Sequence, residues 1–181
     1  MNRRRSRNRA FLTRNAIVAF AGDAAQRFSG MPRYTMRGRA LHEAAHAVMV
    51  RMLGGYICEA TIIADPLTLV GRGGTGSSGG HVMWALEPPA ADWRDRAPKR
   101  RPDRPNRVEN DIARGVFQAH VLALTDGTDW RTVLSVAREL RRAARNLVAQ
   151  HWPRIEALAD ALEAGQTVDG PEAERIIEAA A

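Results

Sequence analysis

Apolar residues recur at intervals of three and four along most of the chain, which is the spacing of amphipathic helices. One such pattern occupies residues 11–28 and ends in a Ser-Gly-Met-Pro stretch. The next begins at Thr35, a favourable N-cap residue, and ends at the pair Gly54 and Gly55. Further helices are predicted over residues 108–124, over residues 133–162 with an interruption at Pro153, and from Pro171 onward.

Two segments have the composition of β-strands instead. Residues 56–64 and 81–86 are short and apolar, as strands are. The glycine-rich residues 65–80 lie between them as a predicted loop, and the proline- and arginine-rich residues 87–107 follow as a predicted exposed excursion. The pattern as a whole predicts a mainly α fold, α+β in class, with a small β-hairpin or sheet inserted after the second helix.

The length and composition of the chain are those of a globular protein. It has 181 residues, of which 45% are hydrophobic and 26% are charged. Cys58 is the single cysteine, which excludes an internal disulfide and a cysteine-rich zinc fold. No apolar run is long enough to span a membrane, and we expect a cytoplasmic protein. We predict a basic N-terminal arm and helix over residues 1–33 and a folded domain over residues 34–181.

Positive charge is concentrated in two segments of the chain. The net charge is +7, and basic residues crowd positions 3–14 and 94–107. Clusters of this kind attract phosphate groups or anionic lipid by electrostatics alone. No nucleic-acid motif accompanies either cluster, so we interpret both as solvated segments and do not expect a nucleic-acid partner.

The second predicted helix carries an H-E-x-x-H motif at residues 42–46. Residues four apart project from one face of a helix, so His42 and His46 are placed to bind one metal ion. Zn²⁺ suits two imidazole nitrogens and lowers the pKa of a bound water to about 7. Glu43 lies beside the two ligands, where its carboxylate can take a proton from the zinc-bound water and return it to a leaving amine. The motif therefore predicts a zinc site with Glu43 as catalytic acid and base.

A catalytic zinc site needs a third protein ligand and an open position. Met49 and Met52 stand where the metzincin pattern has its glycine and third histidine, which excludes that class. Asp129, at the start of the long helical pattern, is the leading candidate for the third ligand. Asp126 and Glu109 are its alternatives, and Asp129 also stands where a helix N-cap would stand.

These features resemble the peptidase domain of the FtsH-type zinc metalloproteases over about residues 35–165. Members of that family carry H-E-A-G-H-A or H-E-A-A-H-A on a helix, followed by a strand, a glycine-containing stretch and a second strand. Later in those proteins an A-S-N-D or S-D element opens a helix and supplies an aspartate ligand. In this chain residues 42–48 match the first part, residues 59–63 and 79–82 resemble the strands, and residues 127–130 resemble the aspartate element.

This resemblance implies a helical zincin-type domain with a defined set of site residues. His42, His46 and Asp129 would bind zinc, and Glu43 would be the catalytic acid and base. The chain has no G-x-x-x-x-G-K-[ST] motif, so the resemblance is to a stand-alone, ATP-independent peptidase module. The Ala-Gly-x-Ala-Ala pattern of a family helix lies at residues 21–25, ahead of the H-E-x-x-H motif rather than behind it.

Two functions are consistent with these residues. We predict a zinc-dependent endopeptidase that hydrolyses flexible or unfolded peptide segments, as a homo-oligomer or with a separate ATPase partner. The alternative is a catalytically silent relative, a regulatory or adaptor module that binds a protein partner or nucleic acid through its basic segments. Retention of Glu43 favours the enzyme, because a silent module has no chemical need for that carboxylate.

Overall fold

A computed structural model of the protein describes residues 3–63, 81–85, 111–125 and 130–180. This part of the chain is mainly helical and carries a small antiparallel sheet, which confirms the predicted fold class. Its elements in chain order are α1 (Arg3–Ser29), α2 (Met36–Met52), β1 (Tyr56–Thr61), β2 (His81–Ala85), α3 (Asp111–Thr125), α4 (Trp130–Gln150), α5 (Trp152–Gly165), β3 (Thr167–Asp169) and α6 (Gly170–Ala179).

Helix α2, which carries the H-E-x-x-H motif, begins and ends where the sequence predicts. The Thr35 hydroxyl accepts a hydrogen bond from the backbone N–H of Gly38 at 2.9 Å and caps the first turn. At the other end Gly54 has a φ of 83°, and its N–H donates to the carbonyl of Arg51. Glycine adopts this left-handed conformation without a steric cost, so the helix stops there.

Helix α1 lies between two buried clusters of apolar side chains. Val18 and Ala25 belong to a cluster shared with α2, β1, α5 and α6. Ile17 and Phe20, on other faces of the helix, pack with α3 and α4. The predicted domain boundary between residues 33 and 34 stays a prediction, although the helices on its two sides share the first cluster.

The three strands form a sheet in the order β2-β1-β3. The predicted β-hairpin pairs Tyr56 with Ala85 and Thr61 with His81. Strand β3 was not predicted and joins the other edge of β1, where Thr61 and Thr167 hydrogen bond through their hydroxyls at 2.8 Å. The sheet therefore ties the C-terminal region to the segment that follows α2.

The C-terminal elements have clear local signals at their ends. Pro153 stands in the first turn of α5, where its missing N–H is not needed. Gln166 ends that helix in the left-handed conformation, with a φ of 61°. The Asp169 carboxylate then accepts a hydrogen bond from the Glu172 N–H at 2.9 Å and caps α6.

The remaining helix predictions agree with the described elements. The patterns over residues 108–124 and 133–162 correspond to α3 and to α4 with α5, and the pattern from Pro171 corresponds to α6. The predicted loop over residues 65–80 and the excursion over residues 87–107 lie outside the described residues. Among the helices described, none combines the length and the hydropathy that a membrane crossing requires.

Candidate metal centre

His42 and His46 lie one turn apart on α2, and their imidazole rings meet. The two Nε2 atoms are 3.1 Å apart, and the ring planes are inclined at 78°. Both residues are buried, and His42 is only 2% exposed. The four-residue spacing thus brings two nitrogen donors to one point, as predicted from the motif.

Asp111, the first residue of α3, brings a carboxylate to the same point. Its Oδ2 atom lies 3.1 Å from Nε2 of His42 and 3.7 Å from Nε2 of His46. The side chain is 24% exposed, so of the three it is the one that faces outward. Packing of α3 against α1, which in turn packs against α2, brings Asp111 to the histidines.

The separations among these three atoms match those of a tetrahedral zinc site. Nitrogen and oxygen ligands lie about 2.0–2.1 Å from Zn²⁺, so neighbouring ligand atoms of a tetrahedron are about 3.3 Å apart. The observed separations are 3.1, 3.1 and 3.7 Å. Two imidazoles and one carboxylate are also a donor set that catalytic zinc uses. The His42–His46–Asp111 group could therefore hold a metal ion.

A backbone contact orients the ring of His46. Its Nδ1 atom lies 2.7 Å from the carbonyl oxygen of Val18 in α1. A carbonyl oxygen can only accept a hydrogen bond, so Nδ1 carries the proton and the neutral ring keeps its lone pair on Nε2. That lone pair points to the other two donors. Contacts of this kind fix the tautomer and orientation of metal-binding histidines.

On the Nδ1 side of the His42 ring, close packing takes the place of a hydrogen bond. Within the described residues its Nδ1 atom is buried and has no hydrogen-bond partner. The ring instead lies against the bare backbone of Gly22 in α1, so closely that a Cβ there would meet the imidazole. Gly22 belongs to the Ala-Gly-x-Ala-Ala stretch at residues 21–25. Although this stretch precedes the motif in the chain, the fold places it beside the motif.

The protein shifts the pKa values of His42, His46 and Asp111 in different directions. Burial lowers the pKa of His42 to about 4, so its ring is neutral near pH 7. Burial acts in the same direction on His46, but the nearby Asp111 and Glu43 carboxylates outweigh it and raise the pKa of that ring. Burial works against the ionised form of Asp111, but its hydrogen bond with His42 and the attraction of the nearby His46 hold its pKa far below the usual range.

Glu43 lies on α2 between the two histidines in sequence and is 4% exposed. Burial raises the pKa of its carboxyl to about 7, against the opposing effect of nearby His46 and Arg33. Its carboxylate makes no hydrogen bond within the part of the chain that the structure describes. A carboxyl group with this pKa can both accept and release a proton near neutral pH.

The structure describes three of the four predicted site residues. His42, Glu43 and His46 occupy neighbouring positions in one buried part of α2. Asp129 and its alternatives Asp126 and Glu109 lie outside the described residues, so their roles stay predictions.

Among the described residues, the carboxylate that reaches the histidines is Asp111, which was not among the candidates. One local signal in the sequence could have found it: the pair Asn110-Asp111 reproduces the N-D end of the A-S-N-D element, and Asp111 is the first residue of α3.

Comparisons with protein-family models, with curated proteins and with solved structures found no match for this chain. Fold and site together describe a mainly helical protein with a three-donor group built around its H-E-x-x-H helix. The functional interpretation accordingly rests on the geometry of that group and on the motif.

Proposed function

We propose that the protein is a zinc-dependent endopeptidase in which His42, His46 and Asp111 hold the metal ion. The observation that carries this proposal is the approach of the Asp111 carboxylate to both histidines of an H-E-x-x-H helix, at 3.1 and 3.7 Å. Three protein donors leave a tetrahedral ion with the open position that catalysis needs. The proposal takes Asp111 rather than Asp129 as third ligand, because among the described residues Asp111 is the carboxylate grouped with the two histidines.

The residues around the group are suited to peptide hydrolysis. When bound, Zn²⁺ would polarise a scissile carbonyl and lower the pKa of a water molecule. Glu43 would take up the proton released on attack and deliver it to the leaving amine, a role open to a carboxylate that follows one zinc-binding histidine directly in α2. The Val18 carbonyl and the Gly22 backbone keep the two imidazole rings oriented during this exchange.

The sheet offers a place for an extended substrate. Strand β2 stands at one edge of the sheet and contacts α2, the helix that carries the motif. Within the described residues the outer side of β2 has no paired strand. A peptide segment could add to this edge through backbone hydrogen bonds and so run past the site. Flexible or unfolded segments are the substrates free to adopt that conformation, and a homo-oligomer or a separate ATPase could present them.

Cleavage of a flexible protein substrate tests the proposal. Zinc-loaded protein is incubated with fluorescein-labelled casein, with and without a chelator, and release of labelled peptides is followed. We expect cleavage that the chelator abolishes and added zinc restores. Glu43→Gln should abolish cleavage and keep the zinc, because Glu43 is not a ligand. Glu156→Gln, the same change at an exposed position of α5, is the matched control and should cleave normally.

Two outcomes would contradict the proposed activity. One is the absence of cleavage by zinc-loaded wild-type protein. The other is cleavage by Glu43→Gln at the rate of wild type, since removal of a general base commonly lowers a rate by about 10²–10⁴-fold.

A further inference from the structure

A basic cleft lies between α1 and α4, apart from the His42–His46–Asp111 group. Its volume is about 320 Å³, and α4 lines it with four arginines: Arg138, Arg141, Arg142 and Arg145. All four are exposed. Arg27 of α1 adds a fifth guanidinium to the opposite wall, where it is paired with Asp23 at 2.9 Å.

The four arginines of α4 receive no compensating charge from the part of the chain that the structure describes. Within the described residues none of them forms an ion pair with a carboxylate. Arg138 and Arg145 are seven residues apart, and the adjacent pair Arg141 and Arg142 lies three and four residues from each of them, so the four share one side of the helix over about 10 Å. Like charges at such spacings destabilise a helix by about 0.2–0.5 kcal/mol per pair. The protein therefore maintains a concentration of positive charge that its own described carboxylates do not neutralise.

The apolar part of the cleft is covered by the protein itself. Phe20 is 2% exposed, and the guanidinium of Arg141 lies over its ring at 5.1 Å from the centroid. What remains available to a ligand is a row of guanidinium groups. Guanidinium groups bind phosphate and carboxylate oxygens in pairs of parallel hydrogen bonds, so the ligand is an anion.

We propose, against the expectation from the two basic segments of the sequence, that this cleft of α4 binds the phosphodiester backbone of a nucleic acid strand. A linear array of exposed arginines matches a linear array of phosphates, whose binding gains from the release of condensed counterions. An acidic protein segment has no such counterion layer, and exposed ion pairs with it are worth little in salt. It would also need apolar surface to bind well, and the apolar floor at Phe20 is already covered. Binding through the backbone makes no use of base identity, so it is independent of sequence.

The cleft and the His42–His46–Asp111 group lie on opposite sides of α1. Successive helical residues are rotated by about 100°, which separates Phe20 and Arg27 from Val18 and Gly22. Val18 and Gly22 contact His46 and His42, whereas Phe20 and Arg27 line the cleft. Binding of nucleic acid therefore does not require the metal and can be measured separately from peptidase activity.

Salt-dependent DNA binding tests this site. Fluorescence anisotropy of a labelled single-stranded DNA of mixed sequence is recorded with the full chain over a series of salt concentrations. The variant Arg138→Gln/Arg145→Gln removes two charges from the cleft and leaves the Arg141–Phe20 contact in place. The control Arg51→Gln/Arg175→Gln removes two charges elsewhere, from arginines that pair with glutamates. Thermal unfolding checks that both variants remain folded.

We expect the cleft variant to bind roughly 10- to 30-fold more weakly at ~0.1 M salt, with a salt slope smaller by about 1.4. The control should bind within about twofold of wild type, and a chelator should leave binding unchanged. The proposal is overturned if wild type does not bind DNA or if the cleft variant binds like wild type. Displacement of DNA by polyglutamate of equal charge would assign the cleft to an acidic protein segment. Displacement by inorganic triphosphate at equal phosphate concentration would assign it to a small anion.

Discussion

The backbone of Gly22 forms the surface against which the ring of His42 packs. A methyl group at Gly22 would lie within 2.5 Å of both ring nitrogens of His42, in a region where the ring has little room to move. The position of the His42 imidazole in α2 therefore depends on the absence of a side chain at Gly22 in α1. This relationship explains why a glycine is placed in the buried middle of α1, where alanine would favour the helix.

Gly22→Ala should weaken metal binding more than it weakens the fold. The added methyl displaces the His42 ring, and we expect zinc affinity to fall by about 10- to 100-fold, as for other changes that misorient a ligand. Zinc titration and urea unfolding of the metal-free protein measure the two effects.

Gly165→Ala is the matched control for that experiment. Gly165 also lies in a helix, and a Cβ there would contact nothing within 4 Å. Zinc affinity should stay at the wild-type value, with a gain in stability of up to about 1 kcal/mol. Wild-type zinc affinity in Gly22→Ala would show that the ring of His42 is not held by this contact.

The helices and the histidine pair could be predicted because their determinants are local. Thr35 and Gly54 set the ends of α2 through contacts with neighbouring residues. His42 and His46 meet because the helix itself fixes residues four apart on one face. None of these relationships requires knowledge of how distant parts of the chain pack.

Asp111 and β3 depend on packing between distant segments. Asp111 reaches His42 across 69 positions of sequence, and several acidic residues precede or open predicted helices in the same way. Strand β3 has three residues, of which only Val168 is buried, so its pattern is too short to indicate a strand. Its conformation follows from pairing with β1, more than a hundred residues earlier.

Glu43→Gln should stabilise the metal-free protein in a pH-dependent manner. Burial raises the pKa of Glu43 from 4.5 to about 7, so the folded state binds its proton more tightly than the unfolded state does. The resulting stability is present below pH 4.5 and is lost as the pH rises through about 7. Glutamine carries no charge and avoids this loss. The variant should be more stable than wild type by on the order of 2 kcal/mol at about pH 8, and nearly equal at about pH 4, below the unfolded value of 4.5.

Urea unfolding in the presence of a chelator measures this difference at the two pH values. The buried His42, whose pKa is lowered to about 4 without a contribution from Glu43, affects wild type and variant alike and cancels, whereas the part of the raised His46 pKa that comes from Glu43 belongs to the measured difference. An equal difference at both pH values would show that Glu43 does not titrate in this range.

Gly170→Ala should destabilise the junction between β3 and α6. A Cβ at Gly170 would meet the backbone of β1, with the carbonyl oxygen of Cys58 at 3.1 Å and the carbonyl carbon of Ile57 at 2.9 Å. Backbone atoms in a sheet cannot move aside as a flexible side chain can. We expect a loss of about 1–3 kcal/mol in the free energy of unfolding, measured in urea. Stability equal to wild type would mean that β3 does not pack on β1 as described.

The proposed third zinc ligand is Asp111, whereas the sequence favours Asp129. Zinc titration of the metal-free protein against a competing chromophoric chelator measures the affinity of wild type, Asp111→Asn and Asp129→Asn. Asparagine keeps the size of each side chain and removes its charge, so the substitution has little effect on packing. Asp111→Asn should lose the ion pair with His46 as well as the metal ligand.

We predict one zinc ion per wild-type chain, an affinity at least about 10-fold weaker in Asp111→Asn, and wild-type affinity in Asp129→Asn. The reverse order of the two variants would move the ligand to Asp129. The absence of zinc binding by the wild-type protein would contradict the metal centre itself, and with it the proposed peptidase.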